Sequence, residues 1–176
     1  MTLQLREKFT EDESILLTAS VETIALEAGE DGGHRSEIQI MQGGTYEHPF
    51  HGMLLFDRTL FDRLAMNFSG NVVGRQLAMD SDHMWRQGAY GWFESVRAMG
   101  EMGEGVAFGA QLFATIRWTQ KGVDAIQGEE YKYTSVEFSF NFKDQHGRLN
   151  GPTLLGAALT NRPFIAGMRE VTLNAG

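Results

Sequence analysis

The strictest alternation in the chain lies at residues 131 to 142, YKYTSVEFSFNF. Val136, Phe138, Phe140 and Phe142 take one face, while Ser135, Glu137, Ser139 and Asn141 take the other. A period of two predicts a strand with an apolar inner face and a solvated polar face. SEIQIM at 36 to 41 alternates in the same way, with Ile38 and Ile40 inward. Residues 14 to 28 are apolar, and β-branched Val21, Thr23 and Ile24 favour strand over helix. Residues 72 to 79, 89 to 97 and 106 to 118 add strand-like runs, and residues 149 to 164 close the pattern with another apolar segment. Helical spacing appears at Leu60, Phe61, Leu64, Ala65 and Phe68, which predicts a helix over 58 to 68 with Asp57 as its N-cap. A shorter helix is expected over QKGVDAIQG, capped by Thr119. Turns are expected at GEDGGH, GEMGEG and KDQHGR, and QGGTYEHPFHG at 42 to 52 is expected to be a loop.

These elements sum to an α+β chain dominated by a mixed or closed sheet. Its 176 residues suit a single domain, 1 to 176, with residues 1 to 13 as a loose N-terminal segment. Twenty-one glycines against three prolines fit a turn-rich β protein. Acidic residues number 23 against 15 basic ones, a net charge of -8, which argues against a nucleic-acid surface. No apolar run is long enough for a membrane helix, and no signal peptide is visible behind Met1. With no cysteine, disulfides, thiolate zinc sites and cysteine nucleophiles are excluded.

Candidate chemistry therefore rests on histidine and serine. His34 and His146 fall in turns and read as solvated. His48 and His51 sit in HPFH, where Pro49 breaks any helix that would present them together to a metal. His83 differs because it lies in DSDH with Asp80 and Asp82, and a carboxylate beside a histidine can hold one tautomer and stabilise the imidazolium. Taken alone, that loop also fits a surface histidine, or a compact metal cluster short of ligands. No G-x-S-x-G elbow and no phosphate-binding glycine loop is present. Ser135 is one candidate nucleophile among eight serines, with a bland alternative as a polar residue on an outer strand face. Glu137 shares that face and reads as solvated, with tuning of the site as the alternative, Trp92 and Trp118 read as packing residues, and Trp85 reads equally as a site wall or a cap on the sheet.

The order of motifs adds more. DSDH at 80 to 83 is followed by GWFESVRA at 91 to 98, IRWTQKGVDAI at 116 to 126, YKYTSVEF at 131 to 138 and LLGAALTNRPF at 154 to 164. This series resembles the Mu-like prophage I protein family, the capsid-maturation proteases of tailed phages. There the pattern runs Asp-x-x-His, Ala-x-Gly-Trp, Trp-Thr-x-x-Gly, Tyr-x-Tyr-x-Ser-x-x-Phe and Leu-Thr-Asn-x-Pro. The resemblance covers about residues 72 to 168. It implies a compact β-barrel-like core of mostly antiparallel strands wrapped by a few helices, distantly like herpesvirus assemblin.

The resemblance also implies a serine endopeptidase needing no cofactor or metal. Its nucleophile falls on Ser135, its base on His83 and the motif acid on Asp80. Related prohead proteases carry an acid before the final proline, but LGAALTNRP has none, so the orienting role falls to Asp80, to Asp82 or to Asn161, or the enzyme runs as a dyad. Val136 stands where the family often has proline after the serine. The implied partners are phage scaffold and major capsid proteins as substrates, with self-association as a dimer and no nucleic acid or membrane. The implied location is the host cytoplasm, inside the prohead during assembly. The family's C-terminal scaffold region is expected to be missing from this chain. The alternative function is a non-catalytic capsid-assembly or scaffolding-associated protein that keeps the fold.

Overall fold

The computed structural model describes residues 14–20, 27–28, 33–100 and 109–162, the first two stretches by their backbone alone. In chain order the strands are β1 (Ser14–Ser20), β2 (Glu27–Ala28), β3 (His34–Gln42), β4 (Gly44–His48), β5 (Gly52–Phe56), β6 (Ala78–Ser81), β7 (Gly91–Met99), β8 (Gln111–Trp118), β9 (Tyr133–Lys143) and β10 (Leu149–Thr160). Two helices interrupt them, α1 (Arg58–Ser69) and α2 (Gln120–Gln127).

Eight strands form one sheet in the order β1-β9-β10-β6-β7-β8-β3-β2, and β4 and β5 form a separate hairpin. Neighbours pair antiparallel except β10 with β6, which run parallel. β10 slips register near Gly151, Thr153 and Gly156 as it runs beside β9. Such bulges bend a strand and increase its twist. The sheet curls until β1 lies alongside β3, and no ladder joins the two among the described residues, so the barrel is incomplete. Its concave side holds Ile38, Ile40, Phe93, Leu112, Ile116, Val136 and Phe138, each at most 2 % exposed.

Both helices form where sequence spacing places them. Asp57 accepts the Leu60 N–H at 2.9 Å and starts α1, which buries Leu60, Phe61 and Leu64. Asn67 anchors α1 to β10, donating Nδ2 to the carbonyls of Asn150 at 2.8 Å and Pro152 at 2.7 Å. Thr119 accepts the Gly122 N–H at 3.2 Å and starts α2. A Cβ on Gly122 would lie 2.0 Å from the Tyr90 carbonyl oxygen, and one on Gly91 would lie 2.6 Å from the Ile116 side chain. Thr119 Oγ1 also donates toward that Tyr90 carbonyl at 3.0 Å. The Gly-Trp and Trp-Thr-x-x-Gly segments therefore form one clasp where α2 approaches the start of β7, and only glycine permits that approach.

Three expectations need correction. Residues 42 to 52 are not a plain loop, because β4 and β5 pair across an HPFH turn, with His48, Leu54 and Phe56 buried. Their alternation is hidden by the glycines and by the turn between them. Residues 72 to 77 are not strand: Asn71 and Gly74 take positive φ, so β6 begins only at Ala78. The polar face of β9 is not solvated over most of its length either, since Ser139 is 0 % exposed, Ser135 is 4 % and Glu137 is half-buried, with Asn141 exposed at its end. The expected loose segment at 1 to 13 and the turn residues 101 to 105 lie outside the described residues. Among the described residues no helix is long and apolar enough to cross a membrane.

Candidate functional site

The covered polar face of β9 is where the sequence candidates meet. Ser135 pairs with Ala158 on β10, and Ala158 pairs in turn with Asp80 on β6. Registered neighbours project from the same face of a sheet. Ser135 and Asp80 therefore flank the small Ala158, and Glu137, two residues on, joins Ser135's side opposite Gly156. Small residues on the central strand leave room for a side chain from outside the sheet.

His83 fills that room. β6 ends at Ser81, and the chain turns sharply through Asp82 and His83, with φ of 48° and 57°. This left-handed region is costly for most residues but more accessible to aspartate and histidine. The Asp82 N–H bonds the Leu159 carbonyl at 2.9 Å and the Met84 N–H bonds the Ser81 carbonyl at 2.8 Å, which fixes the turn against β10. His83 Nε2 then stands 2.8 Å from Ser135 Oγ, although 52 positions separate the two residues in sequence. Consecutive left-handed residues beside a polar contact mark the kind of strain that folds retain at functional sites.

The electrostatics of the pocket follow from burial. Desolvation pushes His83 down to about 4, and the Asp82 charge only partly restores it. The imidazole is therefore neutral at pH 7, with one nitrogen able to accept the Ser135 hydroxyl proton. Desolvation also pushes Asp80 up to about 7, and the Glu137 charge adds to that rise. The main-chain N–H of His83, directed at the Asp80 carboxyl, opposes it. Asp80 Oδ1 is buried without a hydrogen-bond partner. Glu137 is raised by burial too, against the pull of Arg75. Half-buried Glu137 is thus not the solvated residue its place on the strand suggests.

The other sequence candidates fall elsewhere. Among the described residues no carboxylate is hydrogen-bonded to the His83 imidazole, so Asp80 meets His83 at the main chain and not at the ring. Asp82 is exposed. Asn161 turns away from the pocket. Its Oδ1 accepts the Lys132 N–H at 3.0 Å and its Nδ2 donates to the Glu130 carbonyl at 2.7 Å, clasping the end of β10 to the connection before β9. Trp118 is buried, with its indole N–H on Ser36 Oγ. His48 is buried and stacks on His51 with ring centroids 4.6 Å apart. Among the described residues no group of three or more histidines and carboxylates is placed to hold a metal ion.

Sequence reasoning favoured a solvated Glu137 over one that tunes the site, and left Trp85 open between a site wall and a cap; the structure half-buries Glu137 and exposes Trp85. The signal for Glu137 was the run LLGAAL on β10, whose Gly156 and Ala158 are too small to separate Glu137 and Ser135 from whatever covers them. The arrangement supports proton exchange between a buried hydroxyl and a half-buried neutral imidazole, with the Asp82 charge favouring the imidazolium. Residues 38–172 match the family model for the Mu-like prophage I protein, N-terminal domain. No curated protein and no solved structure shows significant similarity to the chain.

Proposed function

Because the chain belongs to the Mu-like prophage I protein family, we propose that it is a serine endopeptidase that cleaves phage assembly proteins. The carrying observation is the 2.8 Å contact between Ser135 Oγ and His83 Nε2. A nucleophile and base within hydrogen-bond reach are the first geometric requirement of acyl transfer. The incomplete barrel with helices laid against it accords with a distant relation to assemblin-type proteases.

In this reading the Ser135 oxygen attacks the scissile carbonyl carbon while its proton passes to His83 Nε2. The imidazolium then gives that proton to the leaving amine as the C–N bond breaks. A water molecule attacks the acyl-enzyme, His83 takes its proton, and Ser135 recovers a proton as the acid product leaves. Burial disfavours the imidazolium, so the neighbouring acids matter. The Asp82 charge is the one that favours the imidazolium against that burial, while burial raises Asp80 and Glu137. Asp80 acts as a positioning residue, holding the main chain of His83 in its left-handed turn. The pair works as a dyad with acidic support, and Asn161 has no part in it.

The substrates in this reading are the phage scaffold, the protease itself and the major capsid protein, cleaved inside the prohead in the host cytoplasm. Confinement there raises local substrate concentration, so slow cleavage by the free enzyme suffices. The test is incubation of the purified chain with scaffold and capsid proteins, followed by intact mass measurement, with Ser135→Ala and His83→Ala alongside. Defined fragments from the wild type alone support the peptidase. Fragments from all three overturn it. No fragments from any, even with assembled proheads, favour the non-catalytic assembly role.

A further inference from the structure

The turn that follows His83 presents two large apolar side chains to solvent. Met84 is 47 % exposed and Trp85 is 63 % exposed. They belong to a tightly fixed segment. Trp85–Gln87 form one 3-10 turn, closed by the Gln87 N–H on the Met84 carbonyl at 2.8 Å. Ser81 Oγ bonds Gln87 Oε1 at 3.2 Å, and Lys121 Nζ on α2 bonds the Gln87 carbonyl at 2.8 Å. The sequence leaves Trp85 open between a site wall and a cap on the sheet. Its exposure removes the cap, because an indole packed on the sheet would be covered.

Leaving an indole in water on a fixed turn forgoes the stabilisation that burying it would bring. A flexible tail escapes much of that cost by collapsing, but a pinned turn does not. Phe50, Met53 and Leu149 are at least as exposed as Trp85, so it is the place of Trp85 on the fixed His83 turn, and not its exposure alone, that points to a partner. The Arg86 guanidinium lies 4.9 Å from the Trp85 ring centroid. It covers one face of the indole and fixes its orientation, leaving the other face for a ligand. Trp85 is two residues from His83, whose Nε2 contacts Ser135 Oγ. Met84 and Trp85 thus continue the same turn that carries the residue meeting Ser135.

We propose that Met84 and Trp85 form the substrate-selecting wall of the Ser135–His83 site, accepting a large apolar side chain of the peptide close to the cleaved bond. This inference rests on the peptidase reading above. The occupant is a residue of phenylalanine, tyrosine, leucine or methionine type. A small or charged residue at that position gains nothing from the indole face.

The experiment has two arms. In the first, unfolded casein is digested with wild type, Trp85→Ala and Trp85→Phe, and the cut sites are mapped by mass spectrometry. Wild-type cuts are expected to share a large apolar residue at one fixed position. Trp85→Ala is expected to lose that preference and to raise KM about tenfold while kcat stays within about threefold. Trp85→Phe retains the preference. An unchanged cut profile in Trp85→Ala overturns the proposal. The second arm needs no catalysis. Immobilised Ser135→Ala protein is loaded with a tryptic casein digest, beside the Ser135→Ala, Trp85→Ala double variant. Capture of apolar peptides that falls about tenfold in the double variant supports the wall, and equal capture overturns it. If the wild type makes no cut in casein that Ser135→Ala lacks, the peptidase reading is decided by the scaffold and prohead test above, while the second arm still decides the role of Trp85.

Discussion

Two parts of one sheet handle their carboxylates in opposite ways, although a buried ring nitrogen of His34 on β3 also lacks a hydrogen-bond partner. Across β3, β7 and β8 the charges are exposed and paired. Arg35 meets Glu94 at 2.8 Å, Arg117 meets the same carboxylate at 3.4 Å, and Arg97 bonds Glu37 through two nitrogens. Across β9, β10 and β6 the polar groups are buried or half-buried and incompletely matched. Ser135 and Ser139 are closed off, Asp80 keeps an oxygen without a partner, and Glu137 sits beside it. Solvated ion pairs contribute about 0 to 1 kcal/mol each and cost little to keep. An unsatisfied buried polar atom costs about 1 to 3 kcal/mol. A fold that keeps the second arrangement gives up stability there, and the natural return is chemistry. The difference separates scaffold from site more sharply than residue type does, since both parts contain serine, carboxylate and aromatic residues.

The largest way to break the comparison is to remove one serine from each part. Ser135→Ala is expected to lower kcat for peptide cleavage by roughly a thousandfold or more, because the nucleophile is lost. Ser95→Ala removes an exposed hydroxyl that bonds Thr115 Oγ1 at 2.9 Å, and cleavage is expected to stay within about twofold. Kinetics on the scaffold protein check both. Comparable losses in the two variants would mean that the buried half has no special claim to the chemistry.

The next test uses pH. Asp80 holds its proton up to about 7 in the fold, against 3.8 for an ordinary carboxyl. Its contribution to stability is full below 3.8 and is lost as pH rises toward about 7. His83 is the reverse. Its folded value of about 4 lies below the ordinary 6.5, so its contribution is full above 6.5 and is lost as pH falls to about 4. Between those limits the two slopes oppose each other, each at most about 1.4 kcal/mol per pH unit. Glu137, raised by the same burial, adds to the Asp80 side. Asp80→Asn is therefore expected to make stability rise with pH across that window. His83→Gln is expected to make it fall. Urea unfolding at about pH 4.5, 5.5 and 6.5 measures both slopes. Slopes of the same sign in the two variants would show that the pocket does not hold these groups as described.

How far the sequence reveals this contrast can be argued from particular residues. Asp57 and Thr119 announce both helix starts because an N-cap is a local hydrogen bond. The inner face of β9 is legible from its phenylalanines because a strand's period is local too. Ser135, His83 and Asp80 stand out through motif order. Their spacing in sequence says nothing of the 2.8 Å contact, which depends on the order of β9, β10 and β6 in the sheet. The burial of Glu137 is illegible for the same reason. A polar residue on an alternating strand looks solvated until the element covering it is known. Asn161 misleads as a candidate because an amide near the end of a motif serves a backbone clasp as readily as a histidine.

The smallest effect belongs to the paired half, and it sharpens the comparison by its size. Arg97 bonds Glu37 across β7 and β3, its own Nε on one carboxylate oxygen and a second nitrogen on the other. The hydrogen bonds from Arg97 hold Glu37 below the usual carboxylate range, and both side chains are exposed. Solvent screens the Coulomb energy, and ordering two long side chains costs entropy. A double-mutant cycle with Glu37→Gln, Arg97→Gln and their combination is expected to give a coupling of at most about 1 kcal/mol, shrinking further in about 1 M salt. Peptide cleavage should not change in any of the three. A coupling of several kcal/mol, insensitive to salt, would mean that this half also stores energy in buried charge, and the separation of scaffold from site would lose its physical basis.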